Sequence, residues 1–417
     1  MKKRKNLYFD LFNGINKLAK SIYQKEIQVM TKYTTVFGDL LRYFSTSYFN
    51  QVVSGLKADF RVRILSCYDL FKAMLYGQVS GCFSVREIEA SMKANKNRLY
   101  HTGLKQPIKR STFCDALERR PNEIFKHAFN TMVDKAQGIA GKMKKKFKDP
   151  LRIIDATIIS LCIKRYDWAK YRKSKGAIKL HLNLDGDNLM PFDAYLTEGK
   201  VHEVQLLPNL CKEKGVVYVV DRGYVDYKSL RNIDLQGSVF VTRVKSNTAY
   251  KRIQNNPHPK DGPIVSDVLI ELTGPITKTY YPEPLRKIKY LDKESGKTYE
   301  FLTNDLERDA QEIADIYKER WEVELFFKWI KQHLRIKSFW GTSKNAVYSQ
   351  IWVALILAIL LWINRTLNGI VNSAYELLIM IRAAVFTRND LMGLCSNISP
   401  PGPGESIFQP FLEGFKC

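Results

Sequence analysis

Four polar side chains with complementary chemistry recur at helical spacing near residue 320. They are Tyr317, Arg320, Glu324 and Lys331, in the run YKERWEVELFFKWIK. At about 100° per residue they fall within about 60° of one another round a helix, so they share one face. Larger apolar residues occupy the adjoining sector, which would bury the helix beside its polar stripe. The pattern predicts a rigid helix that presents one carboxylate among three hydrogen-bond donors, with a stripe of surface ion pairs as the alternative.

The spacing of this stripe resembles the signature of the IS-four family of insertion-sequence transposases. In that signature Tyr is followed after two residues by Arg, after three more by Glu and after six more by Lys, and all four positions match here. The family's glutamate is the third carboxylate of a DDE metal site. The resemblance therefore implies two further aspartates on strands upstream.

Two upstream acids have the sequence context that such a site requires. Asp155 lies inside the β-rich apolar run LRIIDATIISL, where an unpaired carboxylate is costly unless a metal or a cation compensates it. Asp221 follows the continuous apolar run 216–220, and an acid at the carboxyl end of a buried strand is typical of α/β active sites. The segment Asp221-Arg222-Gly223-Tyr224 resembles the family's second-aspartate motif. A structural ion pair is the alternative for Asp155.

Three carboxylates brought together need cations to relieve their repulsion. Two Mg²⁺ ions about 3.5 to 4 Å apart would also activate the attacking oxygen and stabilise the leaving oxygen at phosphorus. We therefore expect Asp155, Asp221 and Glu324 to be both catalytic and metal-binding, with two Mg²⁺ ions as cofactor and Mn²⁺ as a substitute.

Cations near these acids are candidate DNA contacts. The resemblance implies that Tyr317, Arg320 and Lys331 grip phosphate oxygens beside the scissile bond. A segment directly after the Asp155 strand mixes basic and aromatic residues, which favours tracking of a DNA backbone over a plain solvated loop. The other candidate DNA-contacting residues are Arg222, Lys164, Arg165, Lys170, Arg172, Lys173 and Lys175.

The charge balance indicates a polyanionic partner. The chain has 66 Lys and Arg against 42 Asp and Glu, a formal net charge of +24. A membrane surface or an acidic protein would also suit this charge. The resemblance implies double-stranded DNA, as transposon inverted repeats and as target, and a homodimer in the DNA complex.

The cysteine spacing and the hydropathy pattern indicate in which cellular compartment the protein is expected. The seven cysteines show no zinc or disulfide spacing and no signal peptide is evident, which favours a reducing cytoplasm. The apolar segment 351–363 is short for a bilayer span and predicts a buried core helix. We expect a cytoplasmic, nucleoid-associated bacterial protein with no membrane partner.

The elements that position the acids are typical of an α/β fold. Strands are predicted at 177–184, 190–196, 216–220 and 238–244, with a crossover helix from His202 to 210. The resemblance implies an α/β RNase H-like core, a mixed sheet flanked by helices, with a β-rich insertion and an all-α N-terminal domain. The insertion ends in a predicted hairpin and contains no tryptophan to stack a flipped base, so Tyr280, Tyr281, Tyr290 or Tyr299 would substitute unless they only pack across strands.

The N-terminal part is predicted to be helical. Ser84 and Glu87 form a capping-box pattern, and Ser111 is the expected N-cap of a second short helix. A DNA-reading helix-turn-helix and a plain helical bundle with a solvated basic loop both fit this pattern.

Domain boundaries follow from these patterns, with Met30 as an alternative start. They are a basic extension at 1–29, a helical DNA-binding domain at 30–140, a basic linker at 141–150, the first part of the core at 151–245, the insertion at 246–300, the second part of the core with C-terminal helices at 301–386, and a flexible tail at 387–417.

The expected function is cut-and-paste transposition of an insertion sequence. It would proceed by Mg-dependent cleavage at terminal inverted repeats, through a hairpin intermediate, followed by strand transfer to target DNA. The alternatives are a catalytically inactive DNA-binding or regulatory relative, and an RNase H-like nuclease without strand transfer.

Overall fold

The computed structural model describes residues 35–396 except 144, 173 and 260. The expected extension at 1–29, the alternative start at Met30, the candidate DNA contact Lys173 and the tail beyond residue 396 lie outside the described residues. The chain divides into a helical unit, residues up to 143 together with those from 328 onward, and a sheet unit, residues 144–327.

The helices of the described residues, in chain order, are α1 (Val36–Leu40), α2 (Thr46–Gly55), α3 (Cys67–Val79), α4 (Val85–Ala94), α5 (Arg110–Arg119), α6 (Glu123–Ala140), α7 (Leu207–Leu210), α8 (Tyr227–Leu235), α9 (Pro275–Tyr280), α10 (Ala310–Lys318), α11 (Arg320–His333), α12 (Lys344–Asn368), α13 (Ala374–Ala384) and α14 (Leu391–Ser396). Short 3-10 turns lie at Lys96–Thr102, Asp167–Ala169, Glu203–Leu206 and Arg222–Tyr224.

The strands are β1 (Leu151–Leu161), β2 (Lys170–Arg172), β3 (Lys175–Asp185), β4 (Pro191–Glu198), β5 (Val217–Val220), β6 (Val239–Arg243), β7 (Tyr250–Asn255), β8 (Ile264–Leu272), β9 (Leu285–Leu291) and β10 (Thr298–Thr303). They form one mixed sheet in the order β2-β3-β1-β5-β6-β10-β9-β8-β7, with β4 paired to β3. The strand β5 pairs in parallel with β1 and with β6, and β3 pairs antiparallel with β1 and β4.

The centre of the sheet is buried because its strands are covered on both faces. All four residues of β5 are buried, as expected of a parallel strand with a continuous apolar sequence. The core on one face includes Tyr218, Tyr224, Leu230 and Phe240, so α8 packs on the sheet next to β5 and β6. The mixed sheet with flanking helices confirms the coarse α/β prediction.

Residues 246–300 extend this sheet beyond β10. They contribute β7, β8 and β9 to it, together with the short helix α9. The predicted hairpin is present, with Tyr299 opposite Tyr290 across β9 and β10. The β-rich segment is therefore continuous with the sheet that carries the candidate acids.

The helical unit is built around α12. This helix is long enough and apolar enough to cross a membrane by length and composition, and its apolar window is wholly buried within the protein. It packs against α3, α5 and α6. The C-terminal helices, which the sequence analysis assigns to the second part of the core, group here with the helical unit, and α12 is buried on nearly all sides within it.

The two predicted N-terminal helix starts have different outcomes. Ser84 caps α4, since its side chain accepts a hydrogen bond from the Glu87 backbone N–H. The second helix, α5, begins one residue before the expected cap Ser111, with Lys109 at the N-cap position and no side-chain cap. Helices α4 and α5 contact each other, with the 3-10 turn Lys96–Thr102 between them in the chain.

Candidate active site

Strand register brings the two candidate aspartates to the same edge of the sheet. Ile154 of β1 pairs in parallel with Val220 of β5, and the next residues along the two strands are Asp155 and Asp221. Asp221 then caps the 3-10 turn Arg222–Tyr224, accepting a hydrogen bond of 3.5 Å from the Gly223 backbone N–H. The two acids thus lie where the parallel pairing of β1 with β5 ends, although β1 itself continues to Leu161, and this is the usual side of the sheet for an α/β active site.

The carboxylate of Asp155 is mostly buried among other charges. Its Oδ1 accepts from the Ala156 N–H at 2.7 Å, and its Oδ2 accepts from Arg320 Nη1 at 3.3 Å. Burial is the main cause that raises the pKa of Asp155 to about 7, opposed by the Ala156 and Arg320 contacts and reinforced by the negative charges of Asp221 and Glu324. The three acids therefore interact electrostatically.

Arg320 joins the strand acid to the helix acid. Its Nη2 donates to Glu324 Oε1 at 2.7 Å, one turn along α11, while its Nη1 contacts Asp155. The Arg320 side chain is only 6% exposed, whereas that of Glu324 is 45% exposed. A single buried guanidinium therefore contacts both carboxylates.

The predicted four-residue stripe is not carried by one continuous helix. A single turn residue, Glu319, with a helical φ of −58° and ψ of −19°, divides the segment, so Tyr317 lies in the last turn of α10 while Arg320, Glu324 and Lys331 lie on α11. Tyr317 is buried with its ring centroid 4.7 Å from that of Phe301 on β10, and this packing fixes the end of α10. The segment is helical as predicted, but it is divided into two helices at Glu319.

Tyr317 and Lys331 have distinct surroundings. Burial raises the pKa of the Tyr317 hydroxyl to about 12, and that hydroxyl has no hydrogen-bond partner among the described residues. Lys331 lies in the last turn of α11, in the part of that helix that belongs to the helical unit. Burial, followed by the positive charge of Lys337, lowers the pKa of Lys331.

The carboxylates fit a divalent cation by their chemistry. Among the described residues no three His, Cys, Asp or Glu side chains are already assembled as a metal-binding group. Carboxylate oxygens are nevertheless the ligands that Mg²⁺ and Mn²⁺ prefer, and the repulsion among Asp155, Asp221 and Glu324 demands a positive charge. In this structure Arg320 supplies that charge, so a metal ion would compete with its guanidinium.

The basic segment after β1 is exposed. The exposed cations are Lys164, Arg165, Lys170, Arg172, Lys175 and, in the turn after Asp221, Arg222. None of these six forms an ion pair with a carboxylate of the described residues. Arg172 lies 5.2 Å from the ring centroid of Tyr171. A row of unpaired exposed cations with interleaved aromatics is suited to phosphate contacts.

The sequence interpretation missed Trp321. It is the exposed one of the six tryptophans, 50% exposed, and the guanidinium carbon of Arg320 lies 5.3 Å from its ring centroid. With Tyr290 and Lys318 it lines an open cavity of about 490 Å³. The signal was available, because Trp321 is a large aromatic residue outside the apolar sector of its helix.

The four tyrosines considered for base stacking differ in their burial. Tyr281 is buried and donates to Asp234 Oδ2 at 2.6 Å, so it is a core residue. Tyr299 stacks on Phe301. Tyr290 lines the cavity, and Tyr280 is 44% exposed on α9.

A fourth carboxylate, Glu203, lies beside the Asp221 turn. A Cβ on Gly223 would meet Glu203 Oε2 at 3.0 Å, so a larger residue there would displace the Glu203 carboxylate slightly. Glu203 pairs with Lys179 Nζ at 3.2 Å. Its negative charge is thereby compensated within the fold.

Comparison with protein families gives two matches. Residues 146–361, more than half of the chain, match the family described as transposase DDE domain. Residues 32–105 match a domain of unknown function, DUF4372.

Three curated relatives are similar over about two thirds of the chain. A putative transposase, y4zB, of Sinorhizobium fredii is 33% identical over 284 residues, which is 67% of this chain and 78% of the relative. A probable transposase for insertion sequence element IS5377 of Geobacillus stearothermophilus is 27% identical over 65% of this chain and 72% of its own length. A putative transposase for insertion sequence element IS4SA of Synechocystis is 24% identical over 66% and 76%.

Among solved structures, the chain resembles the cryo-EM structure of a piggyBac transposase synaptic complex with hairpin DNA. The TM-score is 0.45 and the sequence identity is 12%, over 88% of this chain and 83% of that chain.

Proposed function

The chain belongs to the transposase DDE domain family, and from this premise we propose that it moves an insertion sequence by a cut-and-paste reaction. It cuts DNA at the terminal inverted repeats of the element and joins the freed ends to target DNA. The observation that carries the proposal is the convergence of Asp155, Asp221 and Glu324 from two strands and a helix.

The core is RNase H-like in this proposal, and the chain is a member of the IS-four family. The sheet order supports the first point, since β1 is flanked by an antiparallel meander on one side and by two parallel strands on the other. The spacing of Tyr317, Arg320, Glu324 and Lys331 supports the second.

Cleavage and joining are two displacements at phosphorus, separated by a hairpin whose formation by the 3′-hydroxyl expels the 3′ oxygen of the flanking DNA and whose hydrolysis restores that 3′-hydroxyl. In the first, the oxygen of water bonds to phosphorus as the bond to the 3′ oxygen breaks, which leaves a 3′-hydroxyl on the element. In the second, that hydroxyl attacks a target phosphodiester, and the target's own 3′ oxygen leaves. Mg²⁺ or Mn²⁺, held by Asp155, Asp221 and Glu324, would supply positive charge to the attacking and leaving oxygens.

Residues of the chain then hold the DNA. Arg320, released from Asp155 and Glu324, donates to phosphate oxygens in a bidentate manner. Lys331 and the Tyr317 hydroxyl are two further candidate donors to phosphate oxygens. The exposed cations at 164–175 and Arg222 contact the backbone farther along the duplex.

A hairpin intermediate is part of the proposal. A hairpin end forces the terminal bases out of the stack, and an aromatic side chain next to a cation compensates the lost stacking. The exposed ring of Trp321 and the cavity shared by Tyr290 and Lys318 supply both features beside the first residue of α11. The enzyme acts as a homodimer on two ends, in the bacterial cytoplasm and at the nucleoid.

Incubation with a labelled inverted-repeat duplex, a target plasmid and Mg²⁺ tests this function. We expect nicked, hairpin and plasmid-joined products in that order on denaturing and agarose gels, and none from Asp155→Ala or Glu324→Ala. Binding without cutting would instead support a regulatory DNA-binding relative, and cutting without joining would support a nuclease. A native-gel complex with one chain per pair of ends would contradict the dimer.

A further inference from the structure

Two arginines that are distant in sequence converge on one turn of the helical unit. The turn follows α3 and contains Gly81. Arg335 Nε donates to the Gly81 carbonyl at 2.9 Å, and Arg382 Nε, from α13, donates to the Val79 carbonyl at 2.9 Å. Both guanidinium groups are therefore anchored through Nε, and their terminal nitrogens point to other partners.

The terminal nitrogens of the two arginines lie close together. Arg335 Nη2 and Arg382 Nη2 are each 3.0 Å from the position that a Cβ on Gly81 would take, so they are no farther apart than twice that distance. Gly81 has a φ of +70°, a conformation that favours glycine, and its missing side chain leaves the space that both groups use. A single phosphate group can accept from two donors at this separation.

The pair lacks a compensating anion. Neither Arg335 nor Arg382 forms an ion pair with a carboxylate of the described residues. Burial lowers the pKa of Arg335, and the positive charge of Arg382 lowers it further. The carboxylate of Glu87, which acts on Arg335 from a distance, already accepts from the Phe83 N–H at 2.8 Å and from the Ser84 hydroxyl at 3.2 Å.

The position of Arg335 is also held from one side by an aromatic ring. Its guanidinium carbon lies 3.7 Å from the ring centroid of Phe83, which is 57% exposed. Each arginine satisfies a different carbonyl at the end of α3, Gly81 for Arg335 and Val79 for Arg382. A second like charge at the same point is unfavourable unless an anion comes between the two groups.

We propose that Arg335 and Arg382 form a binding site for a backbone phosphate of DNA, separate from the carboxylate site. Such a contact carries no sequence information and fixes the register of the helical unit on the duplex. It gives the turn between α3 and α4 a role in DNA binding. The proposal requires DNA binding alone, and so it is independent of the cutting and joining steps.

The first test measures duplex affinity by fluorescence anisotropy over a range of salt concentrations, with EDTA present so that no cutting occurs. Arg335→Gln and Arg382→Gln should each weaken binding roughly three- to tenfold near 0.1 M salt and reduce the slope of log K against log salt by about 1. Arg119→Gln is the matched control, since Arg119 is exposed and already paired with Asp115 at 2.7 Å. Slopes of both test variants equal to that of the control would overturn the proposal.

The second test uses the unaltered protein, so it does not depend on variants that fold. Phenylglyoxal modification is followed by mass spectrometry with and without duplex. Bound duplex should protect Arg335 and Arg382 severalfold and leave Arg119 reactive. Equal reactivity with and without duplex would overturn the site, and so would equal protection by inorganic phosphate at the same phosphate concentration, which would indicate a site for a free anion.

Discussion

Arg320 occupies an unusual position for a residue expected to grip DNA. Its guanidinium is buried between Asp155 and Glu324, at 3.3 and 2.7 Å from their nearest oxygens. A buried carboxylate without a cation is costly, so Arg320 keeps the site folded until another positive charge arrives. The same side chain must leave the acids before it can hold a phosphate. Under the proposed function, Arg320 thus links the carboxylate site to the binding of DNA.

Removal of this guanidinium should strengthen metal binding in the DNA-free protein. We expect Arg320→Gln to bind Mn²⁺ about tenfold more tightly or better, because a competing charge at close range is worth at least about 1 kcal/mol. Titration calorimetry with Mn²⁺ measures this directly. Lys318→Gln, which removes a cation paired with Asp315 on the neighbouring helix, should leave the affinity near that of the unaltered protein. Unchanged or weaker binding by Arg320→Gln would contradict the competition.

His181 makes the sheet unit sensitive to acid. Its Nε2 lies 2.9 Å from the Thr197 hydroxyl and its Nδ1 lies 3.4 Å from the hydroxyl of Tyr224, in the Asp221 turn. Burial, followed by the positive charge of Lys179, lowers the pKa of His181 from 6.5 to about 4. The unfolded chain binds a proton near pH 6.5 and the folded chain does not. The stabilisation is therefore complete above pH 6.5 and is lost as the pH falls towards 4.

Urea unfolding between pH 4 and pH 7.5 tests this dependence. His181→Gln should show a flatter dependence of the free energy of unfolding on pH in the window from 6.5 to 4. His202→Gln, at an exposed histidine of the same unit, should retain the dependence of the unaltered protein. Parallel curves for His181→Gln and the unaltered protein would show that His181 is not the group that titrates.

The junction between α10 and α11 sets the direction of the polar residues. Glu319 interrupts the helix, and the buried ring of Tyr317 packs on Phe301 of the sheet. The hydroxyl of Tyr317 has no partner among the described residues. A buried hydroxyl without a hydrogen bond contributes nothing favourable to folding, which agrees with the proposal that this hydroxyl donates to DNA.

Tyr317→Phe separates the two roles of this side chain. We expect its free energy of unfolding to stay within about 1 kcal/mol of the unaltered protein. Tyr317→Ala should lose about 3 to 5 kcal/mol because it removes the ring. The Tyr317→Phe variant should nevertheless cut DNA more slowly than the unaltered protein, because it lacks the hydroxyl that is proposed to contact DNA. If it were destabilised by more than about 2 kcal/mol, the hydroxyl would have a structural partner and the proposed DNA contact would lose its support.

Several of these elements could be predicted from sequence and others could not. Asp155 and Asp221 could be chosen as candidates from the sequence, because an acid within or at the end of an apolar strand is rare without a function. The turn at Glu319 could not be predicted, since every residue from Tyr317 to Arg320 is compatible with a helix. The packing of Tyr317 on the sheet, which no local pattern reveals, accompanies the division into two helices. The contact between Arg320 and Asp155 joins residues 165 positions apart, beyond any local pattern. The apolar sequence of α12 predicts that this helix is buried, but it does not predict which helices pack against it.

The sheet unit is one continuous structure that includes the β-rich segment. Arg286 of β9 and Asp267 of β8 form a bidentate pair, at 2.9 and 2.6 Å, that is nearly excluded from solvent. Asp267 also accepts from Asn256 at 2.9 Å. A buried pair of this kind fixes the register of the two strands, and its disruption leaves an uncompensated charge.

Asp267→Ala should therefore lower the free energy of unfolding by about 3 to 5 kcal/mol. Glu283→Ala removes one member of a half-exposed pair with Arg231, whose side chains are 32% and 41% exposed, and should cost about 1 kcal/mol. Urea denaturation followed by circular dichroism measures both. Equal effects of the two substitutions would mean that the Arg286–Asp267 pair is not buried in solution.

The most direct measurement for the whole molecule is the single-turnover rate of end cleavage in Mg²⁺ by Asp155→Asn and Asp193→Asn. The two residues are matched, because both lie on strands and each accepts from the next backbone N–H, at 2.7 and 2.8 Å. We predict a loss on the order of 10³-fold or more for Asp155→Asn and a rate within about threefold of the unaltered protein for Asp193→Asn. Cleavage by Asp155→Asn at the rate of Asp193→Asn would contradict a catalytic site at Asp155, Asp221 and Glu324.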